Sequence, residues 1–210
     1  MIEIIYIDSD IIVCIKPAGI NSTNIDGGLP ELIKNQLHLN KEIKTVHRLD
    51  QVVGGLIVVA LNKKSARILS KQIECGTFKK RYIAVVQGKF NKRRDILKDY
   101  LIRDPNERKT YVTNNPNNFS KYAELEYFQI KSNDKYSLLK IKLVTGRTHQ
   151  IRCQLSSRNH PIVGDKKYNE QSEDCNIALW SAELEFIHPI TSEKMCFSKM
   201  PFMEFPWNVF

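Results

Sequence analysis

No CxxC pair occurs in this sequence, and its five cysteines, at 14, 75, 153, 175 and 196, are odd in number. That argues against a disulfide framework and against a zinc site of the usual spacing. The thiols read as reduced, in a cytoplasmic protein. No apolar run reaches the roughly 18 residues that a membrane-crossing helix needs. The opening MIEIIYIDSDIIVCIKPAG lacks the basic start and the cleavage site of a secretory signal. Internal repeats, low-complexity segments and sharp composition shifts are also missing, so residues 1–210 read as a single domain. Acidic residues are the scarcer charge: 23 Asp and Glu against 32 Lys and Arg give +9 and a pI near 9.3. Such a chain attracts polyanions, namely RNA, DNA or an anionic membrane surface.

What is present is mostly strand. Glu3–Ile7 and Ile11–Lys16 alternate or run apolar, with an Asp8-Ser9-Asp10 turn between them and Pro17-Ala18-Gly19 as a stop. Pro30 to Gln36 reads as a short helix. Val46–Asp50 and Leu56–Leu61 read as strands, the second apolar on both faces like a central strand. Asn62 is placed to cap a helix reaching about Glu74, with Ala66, Leu69 and Ile73 on one face and Gly76 at its end. Tyr82–Val86 is another apolar strand. Asn91 to Asn118 shows little periodicity and reads as an exposed basic excursion with one short strand near Lys109–Val112. Tyr122–Ile130 and Tyr136–Leu143 form a hairpin about Ser132-Asn133-Asp134. A helix over His149–Asn159 and strands at Ala178–Phe186 and Met195–Ser198 complete the pattern. The sum is an α+β fold with a mixed, largely antiparallel sheet and a few flanking helices.

Four stretches carry the chemistry. In HRLDQVVGG, Arg48 and Asp50 share a face if the segment is extended, and Gly54-Gly55 admit another backbone or a ligand. Asp50 is then a nucleophile, a general base or a buried ion-pair partner. In LVTGRTHQIR, Arg147 and His149 open a helix, where a cation opposes the macrodipole. Either an external anion partners them or they are a solvated first turn. His149 has no second His or Cys at ligand spacing, so metal binding is rejected. In FKKRY, Lys79, Lys80 and Arg81 precede Tyr82, either a core tyrosine with a wet hydroxyl or a platform for a base. RNHPIVGDKKY reads as a structural loop.

In this order the four stretches resemble the RluA family of RNA pseudouridine synthases. Its HRLD stands at His47–Asp50, its KKxY at Lys79–Tyr82, its GRTHQIR at Gly146–Arg152 and its HPIVGD at His160–Asp165. The KPAG start and the IRDPNERKTY segment are similar too, so the resemblance runs from about Ile4 to Pro201. It implies the family's catalytic-domain fold with a catalytic cleft, and isomerisation of specific uridines in ribosomal or transfer RNA. It implies no cofactor and no metal. It makes Asp50 the catalytic carboxylate, lays Tyr82 against the target uracil, and gives Arg147 as the ion-pair partner of the aspartate. Arg48 falls at the site rim, with Lys79, Lys80, Arg108, Lys109, His149 and Arg152 as further RNA contacts. The chemistry agrees: glycosidic cleavage builds positive charge on the sugar, which a carboxylate stabilises, and the base must leave its stack.

Two departures stand out. Val53-Gly54 occupies the place of the family's usual Thr-Ser. The chain also starts at the catalytic domain, with no preceding RNA-binding domain, so target choice is expected to come from that domain alone. The competing expectation is a catalytically inactive RNA-binding protein or RNA chaperone on the same fold. Asp50, Tyr82 and Arg147 together favour the enzyme. A monomer is the simplest expectation.

Overall fold

A computed structural model describes residues 1–210, which form two compact units. The first comprises residues 1–80 and 180–201 and the second residues 81–179 and 202–210. No helix in either is long and apolar enough to cross a membrane.

In the first unit, β1 (Glu3–Ile7) and β2 (Ile11–Lys16) are the hairpin the sequence suggests. Helix α1 (Leu29–Gln36) and the two-residue β3 (Lys44–Thr45) follow. β4 (Gly54–Ala60) is buried along its whole length, as its unbroken apolar run requires. β2 pairs with β4 antiparallel, from Ile11 opposite Ala60 to Lys16 opposite Gly55. Helix α2 (Lys63–Glu74) is capped by Asn62, whose side chain accepts the Ser65 N–H, and Gly76 follows in the left-handed region that ends a helix. Asp10 receives both the Asn62 amide and the Ser65 hydroxyl, so the β1–β2 turn is tied to the start of α2.

The chain re-enters this unit as β10 (Leu179–Ile187), which pairs antiparallel with β11 (Lys194–Ser198) and parallel with β4. Alternate residues of β2, β4 and β10 close the core: Ile11, Val13 and Ile15, then Leu56 and Val58, then Leu184 and Phe186. Leu69 of α2 packs on that face, with Phe78 stacked on Phe186 at 5.1 Å.

The second unit is a five-stranded antiparallel sheet ordered β5-β9-β8-β6-β7. Its strands are β5 (Lys79–Gln87), β6 (Arg94–Asp104), β7 (Lys109–Thr113), β8 (Lys121–Ser132) and β9 (Tyr136–Leu143). Helix α3 (Gln150–Ser156) covers the face that carries Leu97, Asp99 and Leu101.

Two expectations need correcting. Residues 91–118 are not an irregular excursion but chiefly the long β6–β7 hairpin. Its period was masked by Asp99 at an inward position, where Gln154 and Arg158 meet it. Val46–Asp50 is not a strand. It runs as a loop in which His47 and Leu49 are buried while Arg48 is exposed and Asp50 half-buried, so the alternation survives without the ladder.

The parallel β4–β10 contact gives Gly54 and Gly55 their reason. Gly54 lies opposite Trp180 and Gly55 opposite Ser181. A Cβ on Gly54 would stand 2.6 Å from the Trp180 ring, and one on Gly55 2.4 Å from the Ser181 carbonyl oxygen, at φ +120°. Only glycine allows this approach. Gly55→Ala should therefore cost about 3 kcal/mol or more, because backbone cannot yield as a side-chain tip can. Gly76→Ala, also at positive φ but with nothing within 4 Å of the added Cβ, should cost only about 1 kcal/mol. Urea unfolding of the two variants distinguishes them; equal losses would refute the packing explanation.

Candidate active site

Asp50 sits in a turn closed by the Val53 N–H on the Asp50 carbonyl at 3.0 Å. Its backbone is held from both sides. On one side the buried Ser22 hydroxyl donates to the Leu49 carbonyl at 2.8 Å and accepts the Leu49 N–H at 3.0 Å. On the other, the Gln51 carbonyl accepts from Gly19 N–H at 2.8 Å and from the Lys16 ammonium at 3.1 Å, while the Gln51 amide reaches back to Gly19. Further up, the buried His47 ring accepts the Val58 N–H of β4 at 3.2 Å through Nε2. Burial, with the nearby positive charge of Lys80, pushes the imidazole well below its ordinary value and keeps it neutral.

Lys16 closes the apolar strand IIVCIK, and that position is the only sequence signal of its burial. Its side chain is fully buried, and its ammonium donates to the carbonyls of Pro17, Ile20 and Gln51 at 2.8, 2.8 and 3.1 Å. Burial pushes its pKa down to about 8, against which the negative charge of Asp50 pulls upward.

In the second unit, Tyr82 is buried on β5 opposite Ile141 of β9, on the sheet face that α3 shares. The TGRTHQ turn is built by Gln150. Its side-chain oxygen accepts from Thr145 Oγ1 at 2.8 Å and from Arg147 N–H at 2.9 Å, and its amide donates to the Glu124 carbonyl. The helix therefore starts at Gln150, with His149 as a left-handed N-cap at φ 54°, rather than at His149 itself. Arg147 lies before the helix and is exposed, and its Nε donates to the Tyr122 carbonyl at 3.0 Å.

The buried guanidinium of this stretch is that of Arg152, 5 % exposed and bonded twice to Asp165, itself 1 % exposed, at 2.8 and 2.7 Å. It also lies over the Tyr168 ring at 5.2 Å. Its burial corrects the expectation that Arg152 meets RNA phosphate at the surface. The pair also gives the HPIVGD loop a specific task, because Asp165 positions Arg152. His149 Nδ1 is 3.1 Å from the Tyr168 hydroxyl, which also bonds the backbone of Thr110.

Of the other expected contacts, Arg48 is exposed in the Asp50 loop and Arg108 is exposed in the β6–β7 turn at φ 50°. Lys109 lies over the rings of Tyr111 and Tyr168 at 5.4 and 5.3 Å. Lys79 and Lys80 are only partly exposed; Lys79 donates to the Gly76 carbonyl, and burial lowers the Lys80 pKa.

The Lys16 ammonium should titrate near 8 by NMR, well below its ordinary 10.5. Between those values the unfolded chain holds the extra proton, so this lysine's contribution to stability improves as pH rises through the window. Asp50→Asn removes the charge that favours the ammonium, so the Lys16 pKa should fall further. A value that stays put or rises in the variant would contradict the electrostatic link between them.

The family model described as RNA pseudouridylate synthase matches residues 10–157, more than half of the chain. Ribosomal large subunit pseudouridine synthase C of Buchnera aphidicola subsp. Schizaphis graminum is 33% identical over 211 residues, covering 92% of this chain and 65% of that protein. tRNA pseudouridine synthase C of Haemophilus ducreyi is 29% identical over 239 residues, covering 99% of this chain and 97% of that one. The chain spans about two thirds of the length of several of its curated relatives. Among solved structures, the human protein RNA pseudouridylate synthase domain containing 1 superposes with a TM-score of 0.81 at 23% identity, over 96% of this chain and 84% of that one, a likeness of fold. With four motifs in order, an aspartate in a doubly held turn and a family match over most of its length, the chain belongs to the RNA pseudouridylate synthase family.

Proposed function

We propose that this chain isomerises uridine to pseudouridine in ribosomal or transfer RNA, working as one catalytic domain and as a cytoplasmic monomer. The observation that carries the reading is the fixed turn at Asp50, with the neighbouring residue on each side held by side-chain hydrogen bonds. A carboxylate whose backbone cannot drift is what a reaction through a cationic sugar needs. The bond from ribose C1′ to uracil N1 breaks, the base turns, C1′ bonds to C5, and the C5 proton leaves while N1 takes one up. No oxidant, reductant or metal enters that balance.

In this reading Asp50 stabilises or traps the charge that develops at C1′, and Tyr82 lies against the displaced uracil. Arg152 takes the role of counter-charge that the resemblance gave to Arg147. Its guanidinium is buried and aligned by Asp165, whereas Arg147 is exposed. Arg147 then joins Arg48, Lys79, Lys80, Arg108, Lys109 and His149 among the groups that meet RNA, most of them through phosphate.

RNA tritiated at C5 of uridine provides the test. The native protein should release tritium, and Asp50→Asn should release none above background. Arg152→Lys, which keeps the charge but loses the bidentate fit, should lower turnover at least about tenfold with a folded circular-dichroism spectrum. Arg147→Ala should chiefly raise KM. Full release by the Asp50 variant refutes the assignment of the carboxylate. A turnover loss in Arg147→Ala that exceeds that in Arg152→Lys returns the counter-charge to Arg147.

A further inference from the structure

Strand β6 has two unlike faces, and only one is turned outward. Leu97, Asp99 and Leu101 lie under α3, while the even-numbered residues Arg94, Ile96, Lys98 and Tyr100 stand on the opposite face. The cross-strand register carries that second face onto β8 through Tyr122, Glu124, Glu126 and Phe128, and onto β7 through Tyr111. Its apolar members are open to solvent: Ile96 at 47 %, Tyr100 at 44 %, and Tyr122 and Phe128 at 39 % each. Contiguous exposure of this kind marks an interaction surface.

The charges on this face are layered. The acids lie low: the Glu126 side chain is 11 % exposed beneath Arg94 and Lys142, and that of Glu124 is 21 % exposed beside Lys98 and the Tyr122 hydroxyl. The cations reach out, with side-chain exposures of 62 % for Arg94, 59 % for Lys98 and 46 % for Lys142. Arg94 also lies over the Phe128 ring at 4.7 Å. Solvent therefore meets rings and cations. Tyr100 and Tyr122 are direct cross-strand partners, with centroids 5.9 Å apart and planes at 67°, so a face of each ring remains accessible. Lysine within an aromatic patch is what the cores of protein interfaces lack. It is what a surface that stacks bases and pairs phosphates uses.

We propose that this outward face of β6, β7 and β8 is a second RNA-contact surface, on which unpaired nucleotides stack against Tyr100 and Tyr122 while Arg94, Lys98 and Lys142 meet their phosphates. Tyr82 points to the other face of the same sheet, so the surface is separate from the residues assigned to chemistry. The inference rests on the RNA reading above and extends it from the modified base to the flanking strand.

A fluorescent oligoadenosine of eight nucleotides is the probe. It has no uridine, so its binding is read whether or not the chain isomerises anything. The Tyr100→Leu, Tyr122→Leu pair keeps an apolar side chain on each strand and should weaken binding at least about tenfold. The corresponding Phe pair, which keeps both rings, should bind within about twofold of native. Lys98→Glu should weaken binding and flatten its salt dependence. Native-like affinity in the leucine pair would overturn the proposal and leave the face to a protein partner. Loss in the phenylalanine pair as deep as in the leucine pair would also overturn it. Ring-dependent binding without tritium release from uridine RNA would support this surface while sinking the isomerase reading.

Discussion

One ammonium group, that of Lys16, holds the Asp50 turn to the end of a core strand. Burying a lysine is costly unless its charge and its three donors are met. Here three carbonyls, from Pro17, Ile20 and Gln51, take the donors, and Asp50 lies close enough for its charge to be felt. The arrangement works in both directions. The lysine fixes where residue 51 runs, hence where residue 50 points, and the carboxylate helps keep the buried lysine charged. Removing either leaves the other in an environment built for two.

The same economy of backbone governs β4. Two glycines at its entrance let Trp180 and Ser181 come alongside in parallel, and the Ser181 hydroxyl donates to the Leu56 carbonyl at 2.9 Å. A strand that pairs with β2, β3 and β10 while buried on both faces cannot shift register without moving its neighbours. The Asp50 loop is thus anchored to the most constrained strand of its unit, by the chain at Val53 and by the His47 ring at Val58. The Val-Gly replacing a Thr-Ser follows from this: Val53 is buried and Gly54 lies under an indole, where a hydroxyl would have to find a partner.

Much of this was legible in the sequence where local chemistry decides. β1, β2 and β9 have the bounds their alternation suggests, and Asn62 and Gly76 bracket α2 as cap residues do. The sequence misled where a distant partner decides. Asp99 broke the period of β6 because a polar residue at an inward position looks like a surface residue until Gln154 and Arg158 arrive from 55 and 59 positions away. Which arginine of the GRTHQIR stretch is buried was equally opaque, since both lie in one motif. What separates them is Gln150, which folds the turn so that Arg147 is left outside the helix, and Asp165, which draws Arg152 in.

The Arg152–Asp165 pair also shows why the GRTHQIR and HPIVGD stretches belong together. A fully buried ion pair adds little net stability against an apolar substitute of the same shape, because desolvation consumes most of the Coulomb gain. What such a pair does supply is direction. Both oxygens of Asp165 are engaged, at Nε and one terminal nitrogen of the guanidinium, which fixes its plane. A planar cation fixed by one carboxylate is held in one orientation, with its ordering entropy already lost in folding. That explains a costly buried pair in a chain whose other cations are mostly at the surface.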